Sequence, residues 1–345
     1  MEVNGINIFI IIFTTFIISA LLVPIVKKVA IHVGAMDVPN ERKVHSKPMP
    51  RMGGLAIFFA FLCGYMIFAK STPQMLSILI GGFIIVVLGL IDDINPIKAR
   101  YKFLVQIIAA CIVVFYGNIV LNEITALGLN LTFSAPFNYI ITIFFIISIT
   151  NAINLIDGID GLASGVSSIY FATIAVIAML MNNTTSLDVT LCLIMLGSTL
   201  GFLLHNFNPA SIFMGDSGSL FLGFIIAVIS LLGFKAATVT SLIVPILILA
   251  IPIIDTLLAI GRRLLKGESI GTPDKEHLHH QLLKMKFGTK KTVLIIYGIN
   301  ILFALVSIFY VLGDSEIAIS IYIILMILLL FLVLKTDILY KHKRK

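Results

Sequence analysis

Apolar segments recur along almost the whole chain, and they constrain its fold more than any other feature. Eleven of them are 17 to 24 residues long, about the length that crosses the roughly 30 Å hydrocarbon core of a bilayer as a helix. They lie at about residues 6–26, 53–69, 75–91, 103–119, 137–155, 162–181, 189–205, 217–233, 238–261, 292–312 and 316–334. The sequence therefore predicts an all-α polytopic membrane protein, a single domain of about eleven transmembrane helices over residues 1–345.

The composition agrees with membrane insertion. Only 12% of the residues are charged and 59% are hydrophobic, whereas about 25% of a soluble domain is charged. So few charges cannot cover the surface of a soluble fold of this size. The net charge of +7 therefore does not indicate a basic nucleic-acid-binding module, and we expect no nucleic-acid partner.

The Lys and Arg residues fall almost entirely on one side of the predicted membrane. When the loops are assigned alternately to two faces, 22 of the 24 basic residues share a face, and only Lys70 and Lys235 lie opposite. The positive-inside rule makes the crowded face cytoplasmic, with the N-terminus outside and the C-terminus inside. Cytoplasmic segments are expected at about 27–52, 92–102, 156–161, 206–216 and 262–291, followed by a basic tail at 335–345. On the outer face, rough alternation within residues 120–136 predicts a small hairpin.

Two acidic pairs lie at predicted cytoplasmic helix ends. Asp92 and Asp93 follow an apolar span, and adjacent carboxylates are costly unless one is protonated or both bind a hard cation such as Mg²⁺. The alternative is a solvated pair balanced by Lys98 or Arg100.

Within residues 151–165, Asp157 and Asp160 are spaced to share one helical face, among glycines that let a ligand approach closely. This pattern favours a binding site over the alternative, an Asp that caps the following span.

Two further segments could bind a phosphate. Asp216 precedes a helix start rich in Gly and Ser, whose free N–H groups suit a phosphate while the carboxylate holds a metal. An ordinary turn or cap is the alternative. His277 and His280 share a helical face from which His279 is turned. Histidines suit Zn²⁺, but the neighbouring oxygen-rich clusters favour Mg²⁺. The alternative is that these histidines lie in a solvated basic loop without a bound ligand.

The first cytoplasmic loop contains His45, Lys47 and Arg51 between prolines, just before Gly53–Gly54. It forms a rigid basic lip suited to an anionic headgroup or a diphosphate, although positive-inside anchoring explains the charge equally well.

All five clusters fall on the face that the Lys and Arg count selects independently. Their coincidence predicts a cytoplasmic active site for phosphoryl transfer.

With these motifs in view, the chain resembles the polyprenyl-phosphate N-acetylhexosamine-1-phosphate transferase family (glycosyltransferase family 4) over nearly its whole length. The matching motifs, in order, are PRMGG (50–54), IDD (91–93), NAINLIDGIDGL (151–162), FMGDSGSL (213–220), PIIDTL (252–257) and HLHHQLL (277–283). Such enzymes transfer a sugar 1-phosphate from a UDP-sugar to undecaprenyl phosphate and release UMP.

The resemblance assigns roles to individual positions. Asp92 and Asp93 correspond to the family's aspartate pair, one of which is proposed to deprotonate the lipid phosphate, and Asp216 corresponds to the aspartate that binds Mg²⁺. The nucleotide and sugar are implied to contact Asn154, Asp157, Gly158, Asp160 and Phe213, the last by stacking on uracil. The diphosphate is implied to lie near His277, His279 and His280. The spacing around His45, Lys47 and Arg51 does not single out one basic contact.

The resemblance also narrows the substrates. The HLHH sequence is similar to the UDP-GlcNAc branch, whereas the UDP-MurNAc-pentapeptide branch usually has three consecutive histidines. We therefore expect UDP-GlcNAc and undecaprenyl phosphate as substrates, Mg²⁺ as the metal with Mn²⁺ as an alternative, and wall teichoic acid among the envelope polymers that the product would start. Another UDP-HexNAc or UDP-MurNAc-pentapeptide is the alternative donor. Relatives form homodimers, but the pattern here contains no dimer seam.

The implied mechanism places Mg²⁺ at Asp216, with Asp92 or Asp93, against the UDP diphosphate, while the lipid phosphate attacks the β-phosphorus. Attack is either direct or through an aspartyl phosphate.

The expected location is the bacterial plasma membrane, among membrane lipid, with the active site facing the cytoplasm. The competing class is a secondary transporter, which would place ionisable groups near the midplane; only Asp255 lies inside a predicted span. A polyprenyl-diphosphate phosphatase is a second rival.

Overall fold

The computed structural model describes residues 2–3, 5–39, 47–126, 129–181, 186–235, 243–265, 267 and 277–335. Within these residues the chain is mostly helical. The helices are α1 (Ile8–His32), α2 (Gly54–Phe68), α3 (Pro73–Ile94), α4 (Ala99–Cys111), α5 (Phe137–Ile156), α6 (Leu162–Leu180), α7 (Leu187–Asn206), α8 (Asp216–Lys235), α9 (Ile243–Ile248), α10 (Ala250–Leu265), α11 (Leu278–Lys284), α12 (Thr289–Leu312) and α13 (Ser315–Lys335). A π-helical turn at Ile112–Tyr116 continues α4.

Three short antiparallel strand pairs also form among the described residues, one before α1 and two between helices. Their strands are β1 (Glu2–Val3) with β2 (Ile6–Asn7), β3 (Met36–Asp37) with β4 (Met49–Pro50), and β5 (Glu123–Ala126) with β6 (Leu129–Thr132). The hairpin predicted within residues 120–136 is thereby confirmed, with Glu123 opposite Thr132. The hairpin between β3 and β4 was not predicted, and it fixes the position of Arg51, which follows β4.

The predicted spans correspond to helices. Among the described residues, eight helices are long and apolar enough to cross a membrane, and α2 and Glu316–Phe331 of α13 are shorter apolar helices. The ninth predicted span, about 238–261, is divided into α9 and α10, which are separated at Leu249. Residues 238–242 of that span and residues 336–345 of the basic tail lie outside the described residues. The count of eleven and the orientation stay predictions.

Helix α8 forms the centre of the helical packing. Its Asp216–Gly233 portion is 94% buried, and it packs against α3 and α5, while α1 packs against α7. Outer helices instead expose large apolar side chains, such as Phe9 and Phe144, as expected where a helix surface faces hydrocarbon rather than water. The start of α8, at Asp216, is therefore enclosed by neighbouring helix ends.

Two loop boundaries differ from the predictions because helices extend beyond their apolar runs. Helix α3 continues to Ile94, so Asp92 and Asp93 lie in its last turn and not in the following loop. Helix α1 continues to His32 and includes Lys27 and Lys28.

Candidate active site

A cavity of about 410 Å³ opens where the loops after α5 and α7 meet the segment between β4 and α2. This volume lies in the range of small-molecule sites. Eight residues singled out from the sequence line the cavity: Arg51, Asn154, Asp157, Gly158, Asp160, Phe213, Asp216 and His280. Clusters from distant parts of the chain therefore meet at one site, as the sequence predicts.

Backbone hydrogen bonds join the PRMGG segment to the loop before α8. The Phe213 N–H donates to the Pro50 carbonyl at 2.9 Å, the Gly53 N–H donates to the Phe213 carbonyl at 3.0 Å, and the Gly54 N–H donates to the Met214 carbonyl at 2.9 Å. This pairing holds Arg51, between Pro50 and Gly53, beside the start of α8. The role of this segment is therefore partly to place one arginine.

Glycines let three helices converge at the start of α8. A Cβ on Gly54 would overlap the backbone of Gly218, and a Cβ on Gly89 of α3 would overlap the backbone of Ser217. Only a residue without a side chain allows such close approach. The Gly53–Gly54 pair at the start of α2 is therefore required for packing.

Asp93 binds the N-terminus of α8. Its Oδ1 accepts from the Asp216 N–H at 2.8 Å, and its Oδ2 accepts from the Ser217 N–H at 3.2 Å and from the Ser217 hydroxyl at 2.8 Å. Gly215, with a φ of 74°, leaves room for this carboxylate, because a Cβ there would overlap Asp93. The expectation that these N–H groups are free to seat a phosphate is therefore wrong.

Two cations link the carboxylates from different helices. Arg51 Nη2 lies 2.9 Å from Asp93 Oδ1 and 3.5 Å from Asp216 Oδ1. Lys102 Nζ lies 2.7 Å from both Asp92 Oδ2 and Asp216 Oδ2. Burial opposes the charge of Arg51, but the nearby carboxylates of Asp93, Asp216 and Asp37 raise its pKa. The guanidinium therefore stays charged at the edge of the cavity.

This arrangement excludes the solvated interpretation of the aspartate pair. Asp92 and Asp93 are each 5% exposed, and their partners are Lys102 and Arg51 instead of Lys98 or Arg100. Lys102 was not among the predicted site residues. Its sequence signal was weak, because it is the last of three basic residues that follow the aspartates, at positions where helix α4 begins.

The carboxylates of Asp92 and Asp216 are suited to a divalent cation. An oxygen of each lies 2.7 Å from the single Lys102 ammonium, so the two groups already converge on a positive charge. Mg²⁺ in proteins is usually held by one or two carboxylates together with substrate phosphates. Among the described residues no group of three or more His, Cys, Asp or Glu side chains could hold a metal, and this finding covers the carboxylates as well as the histidines.

The loop that contains Asp157 and Asp160 is a turn between α5 and α6, not a helix. Asp160 Oδ2 accepts from Asn208 Nδ2 at 2.8 Å and from the Ala210 N–H at 3.1 Å, which ties this loop to the one before α8. Gly161 is the N-cap of α6 and has no side-chain cap bond. The shared helical face and the Asp cap are therefore both wrong, although both aspartates line the cavity.

The carboxyl of Asp157 is strongly perturbed by its surroundings. Burial, and then the negative charge of Asp216, raise the pKa of Asp157 to about 8. At neutral pH the group therefore keeps its proton and can donate a hydrogen bond as well as accept one.

Asn154 and Phe213 form other parts of the cavity wall. Asn154 Nδ2 donates to Ser219 Oγ at 2.8 Å, which joins α5 to the first turn of α8. Phe213 forms an isolated backbone bridge with Arg51, so the aromatic ring and the guanidinium belong to adjacent, paired segments.

The three histidines occupy different environments. His280 lines the cavity, whereas His277 and His279 are 5% and 2% exposed. His277 precedes α11, and its Nδ1 lies 3.0 Å from Asp255 Oδ2. Burial, and then the neighbouring histidines His280 and His277, lower the pKa of His279 to about 3 although Asp255 acts in the opposite direction. His279 is therefore neutral.

Among the described residues of the first cytoplasmic loop, Asp37 and Arg51 line the cavity. Arg51 lines it, and Lys47 is exposed and not part of its lining. His45 lies outside the described residues. The structure thus distinguishes Arg51 from Lys47, which the sequence spacing could not do.

Comparisons with known proteins agree with these motifs. A model of glycosyl transferase family 4 matches residues 75–234, a range that includes Asp92, Asp93, Asp157, Asp160 and Asp216. The chain is 44% identical to a probable undecaprenyl-phosphate N-acetylglucosaminyl 1-phosphate transferase of Bacillus subtilis (strain 168), over 91% of this chain and 88% of that protein.

More distant relatives have related names. A decaprenyl-phosphate N-acetylglucosaminephosphotransferase of Mycobacterium tuberculosis is 35% identical over 83% of this chain and 78% of its own length. An undecaprenyl-phosphate alpha-N-acetylglucosaminyl 1-phosphate transferase of Salmonella typhi is 28% identical over 81% of this chain and 78% of its own length.

Proposed function

The chain belongs to glycosyl transferase family 4, and from this premise we propose that it transfers N-acetylglucosamine 1-phosphate from UDP-GlcNAc to undecaprenyl phosphate. The products are undecaprenyl-diphosphate-GlcNAc and UMP. The reaction is the first step of a cell-envelope polymer, for which wall teichoic acid is our proposal. The names of the relatives support the polyprenyl phosphate acceptor and the transferred group.

The observation that carries this proposal is the meeting of cations and carboxylates at the start of α8, on the edge of one cavity. Arg51, Asp216 and His280 lie along the cavity together with Phe213 and the protonated Asp157. A nucleoside diphosphate sugar has matching parts, because it combines a planar base, a sugar and an anionic diphosphate. A transporter site would instead be expected near the bilayer midplane.

We place the uridine against Phe213, Asn154, Asp157 and Asp160. An aromatic ring provides a face on which a base can stack. The protonated carboxyl of Asp157 offers a donor and an acceptor side by side, which complement the carbonyl and N–H of the uracil edge. The diphosphate then extends towards Arg51 and His280, where the guanidinium can bind two phosphate oxygens at once.

The metal of this proposal is Mg²⁺, with Mn²⁺ as an alternative, and of the carboxylates of Asp216 and Asp92 it is Asp216 that would hold it. When bound, it neutralises charge on the diphosphate. Lys102 occupies the space between these two carboxylates, so its ammonium must move away for the metal to bind. The Lys102 ammonium then binds a phosphate oxygen of a substrate in this proposal.

Asp92 is the member of the aspartate pair that we assign to the base. The oxygens of Asp93 accept bonds from the start of α8 and from Arg51. Asp92 accepts from the Ile97 N–H through Oδ1 and contacts the Lys102 ammonium through Oδ2, so Oδ2 becomes accessible when Lys102 moves to a phosphate oxygen. Asp92 accepts the proton of the lipid phosphate. An oxygen of that phosphate bonds to the β-phosphorus, and the bond from the β-phosphorus to the bridging oxygen breaks as UMP leaves.

The chain is a multi-pass membrane protein, and we propose that the cavity faces the cytoplasm of a bacterial cell. The support is the distribution of Lys and Arg residues along the sequence. A cytoplasmic cavity also gives direct access to a water-soluble nucleotide sugar.

A donor panel tests the proposal. Purified protein is incubated with undecaprenyl phosphate, Mg²⁺ and either UDP-GlcNAc, UDP-GalNAc or UDP-MurNAc-pentapeptide, and UMP release is measured, with Asp216→Asn as the inactive control. We expect UMP with UDP-GlcNAc. UMP with another donor alone would overturn the substrate assignment, and no UMP with any donor would overturn the transferase assignment.

A further inference from the structure

Asp255 is a buried carboxylate of α10 that does not line the cavity. It is 4% exposed. Its Oδ2 lies 3.0 Å from His277 Nδ1, and its Oδ1 accepts from the Leu278 N–H at 2.9 Å. His277, the N-cap residue of α11, makes no side-chain cap bond of its own. Asp255 therefore caps α11 from another helix and also holds the His277 ring, with the proton on Nδ1.

The rings after His277 continue this contact to the cavity. The His277 and His279 rings are parallel within 1° at a centroid separation of 5.7 Å, and His279 lies 4.3 Å from His280. His279 Nε2 packs directly against Gly158, where a Cβ would overlap it. Gly158 and His280 both line the cavity. The position of Asp255 is thus transmitted through packed rings to two parts of the cavity wall.

We propose that Asp255 is a positioning residue for the nucleotide diphosphate: it fixes the start of α11 so that His280 faces the donor and His279 supports the loop at Gly158. This inference rests on the proposed function, because it assumes that the cavity binds a UDP-sugar. Asp255 itself does not touch the donor, and its effect depends on His280.

A general structural role predicts a different result. If Asp255 only stabilises the fold, its loss would lower the melting temperature and the amount of active protein without selecting one substrate. If Asp255 positions His279 and His280 at the cavity, its loss raises the dissociation constant for UDP and the KM for UDP-GlcNAc, while the KM for undecaprenyl phosphate stays the same.

The experiment measures UDP binding to the full-length protein by calorimetry, together with the two KM values. We expect Asp255→Ala to weaken UDP binding by about tenfold, and Asp255→Asn to have an intermediate effect, because an amide oxygen can still accept one of the two bonds. If Asp255→Ala does not fold, Asp255→Asn carries the comparison. Asp188→Asn is the matched control, since Asp188 is also buried but lies in the first turn of α7, whereas the cavity is lined by Asn206 at the other end of that helix.

A double variant tests whether the effect passes through His280. We expect Asp255→Ala to have little further effect on UDP binding in a His280→Ala background, because coupled residues are not additive. Equal weakening in both backgrounds, or unchanged UDP binding in a folded Asp255 variant, would overturn the positioning role. Failure of the wild-type protein to bind UDP would instead count against the proposed function itself.

Discussion

Asp93 and Ser217 are joined by two hydrogen bonds, since Oδ2 of the aspartate accepts from both the backbone N–H and the hydroxyl of the serine, at 3.2 and 2.8 Å. This contact connects the last turn of α3 to the first turn of α8. It separates the roles of two adjacent aspartates, because Asp93 holds two helices together while Asp92 faces Lys102.

The first prediction concerns this division. Asp93→Asn exchanges an acceptor for a donor against α8, and we expect it to reduce stability by about 1 to 2 kcal/mol, the usual cost of losing a helix cap. Asp92→Asn keeps an oxygen for the Ile97 N–H, so we expect a normal melting temperature with turnover lost. Thermal unfolding in detergent and UMP release measure the two effects. Normal turnover in Asp92→Asn would refute its role as the base.

The second prediction concerns Lys102. Because its ammonium competes with a metal for Asp216, Lys102→Met should bind Mn²⁺ more tightly, by about tenfold or more, and yet turn over more slowly. Electron paramagnetic resonance of free Mn²⁺ gives the affinity directly. Lys98→Met, on the same segment, is the control. Weaker Mn²⁺ binding in Lys102→Met would contradict the competition.

The third prediction follows from Asp157. Its pKa of about 8 exceeds the unfolded value of about 3.9, so the folded protein binds this proton more tightly. The resulting stability is fully present below about pH 4 and is lost as the pH rises to 8, at up to about 1.4 kcal/mol per pH unit. Asp157→Asn removes this loss. The variant should therefore gain in melting temperature over the wild type between pH 5 and pH 8, and a difference independent of pH would contradict the assignment.

The fourth prediction concerns Gly158. A methyl group there would overlap His279, so Gly158→Ala should displace His279 and the adjacent His280 and weaken UDP binding by about tenfold. Gly298→Ala is a matched control, because a Cβ at that position has no neighbour within 4 Å. If Gly158→Ala binds UDP as the wild type does, the close contact between this loop and the histidines is not required.

The sequence predicted the features that depend on local pattern. The length of the apolar segments located the helices. The acidic, glycine-rich, basic and histidine motifs together located most of the residues that line the cavity, including Arg51 and His280. The contacts between these motifs depend on tertiary packing instead. Asp93 was expected to act on a ligand, but it binds the helix that starts at Asp216, and nothing in its immediate neighbours indicates that partner.

Lys102 and Asp255 show the same limitation. Lys102 lies among other basic residues, so charge alone could not distinguish it. The signal for Asp255 was a single carboxylate within an apolar span, which generally marks a functional group with a specific partner. The identity of that partner, His277, depends on how α10 and α11 pack.

The most direct test of the account follows the β-phosphorus of the donor. UDP-GlcNAc labelled at that phosphorus is incubated with the purified protein, Mg²⁺ and undecaprenyl phosphate, and the lipid and water phases are separated. The account predicts label in the lipid phase, in equal amount to the UMP in the water phase. Release of UDP with the label still in water, or of labelled inorganic phosphate, would contradict transfer of a sugar 1-phosphate.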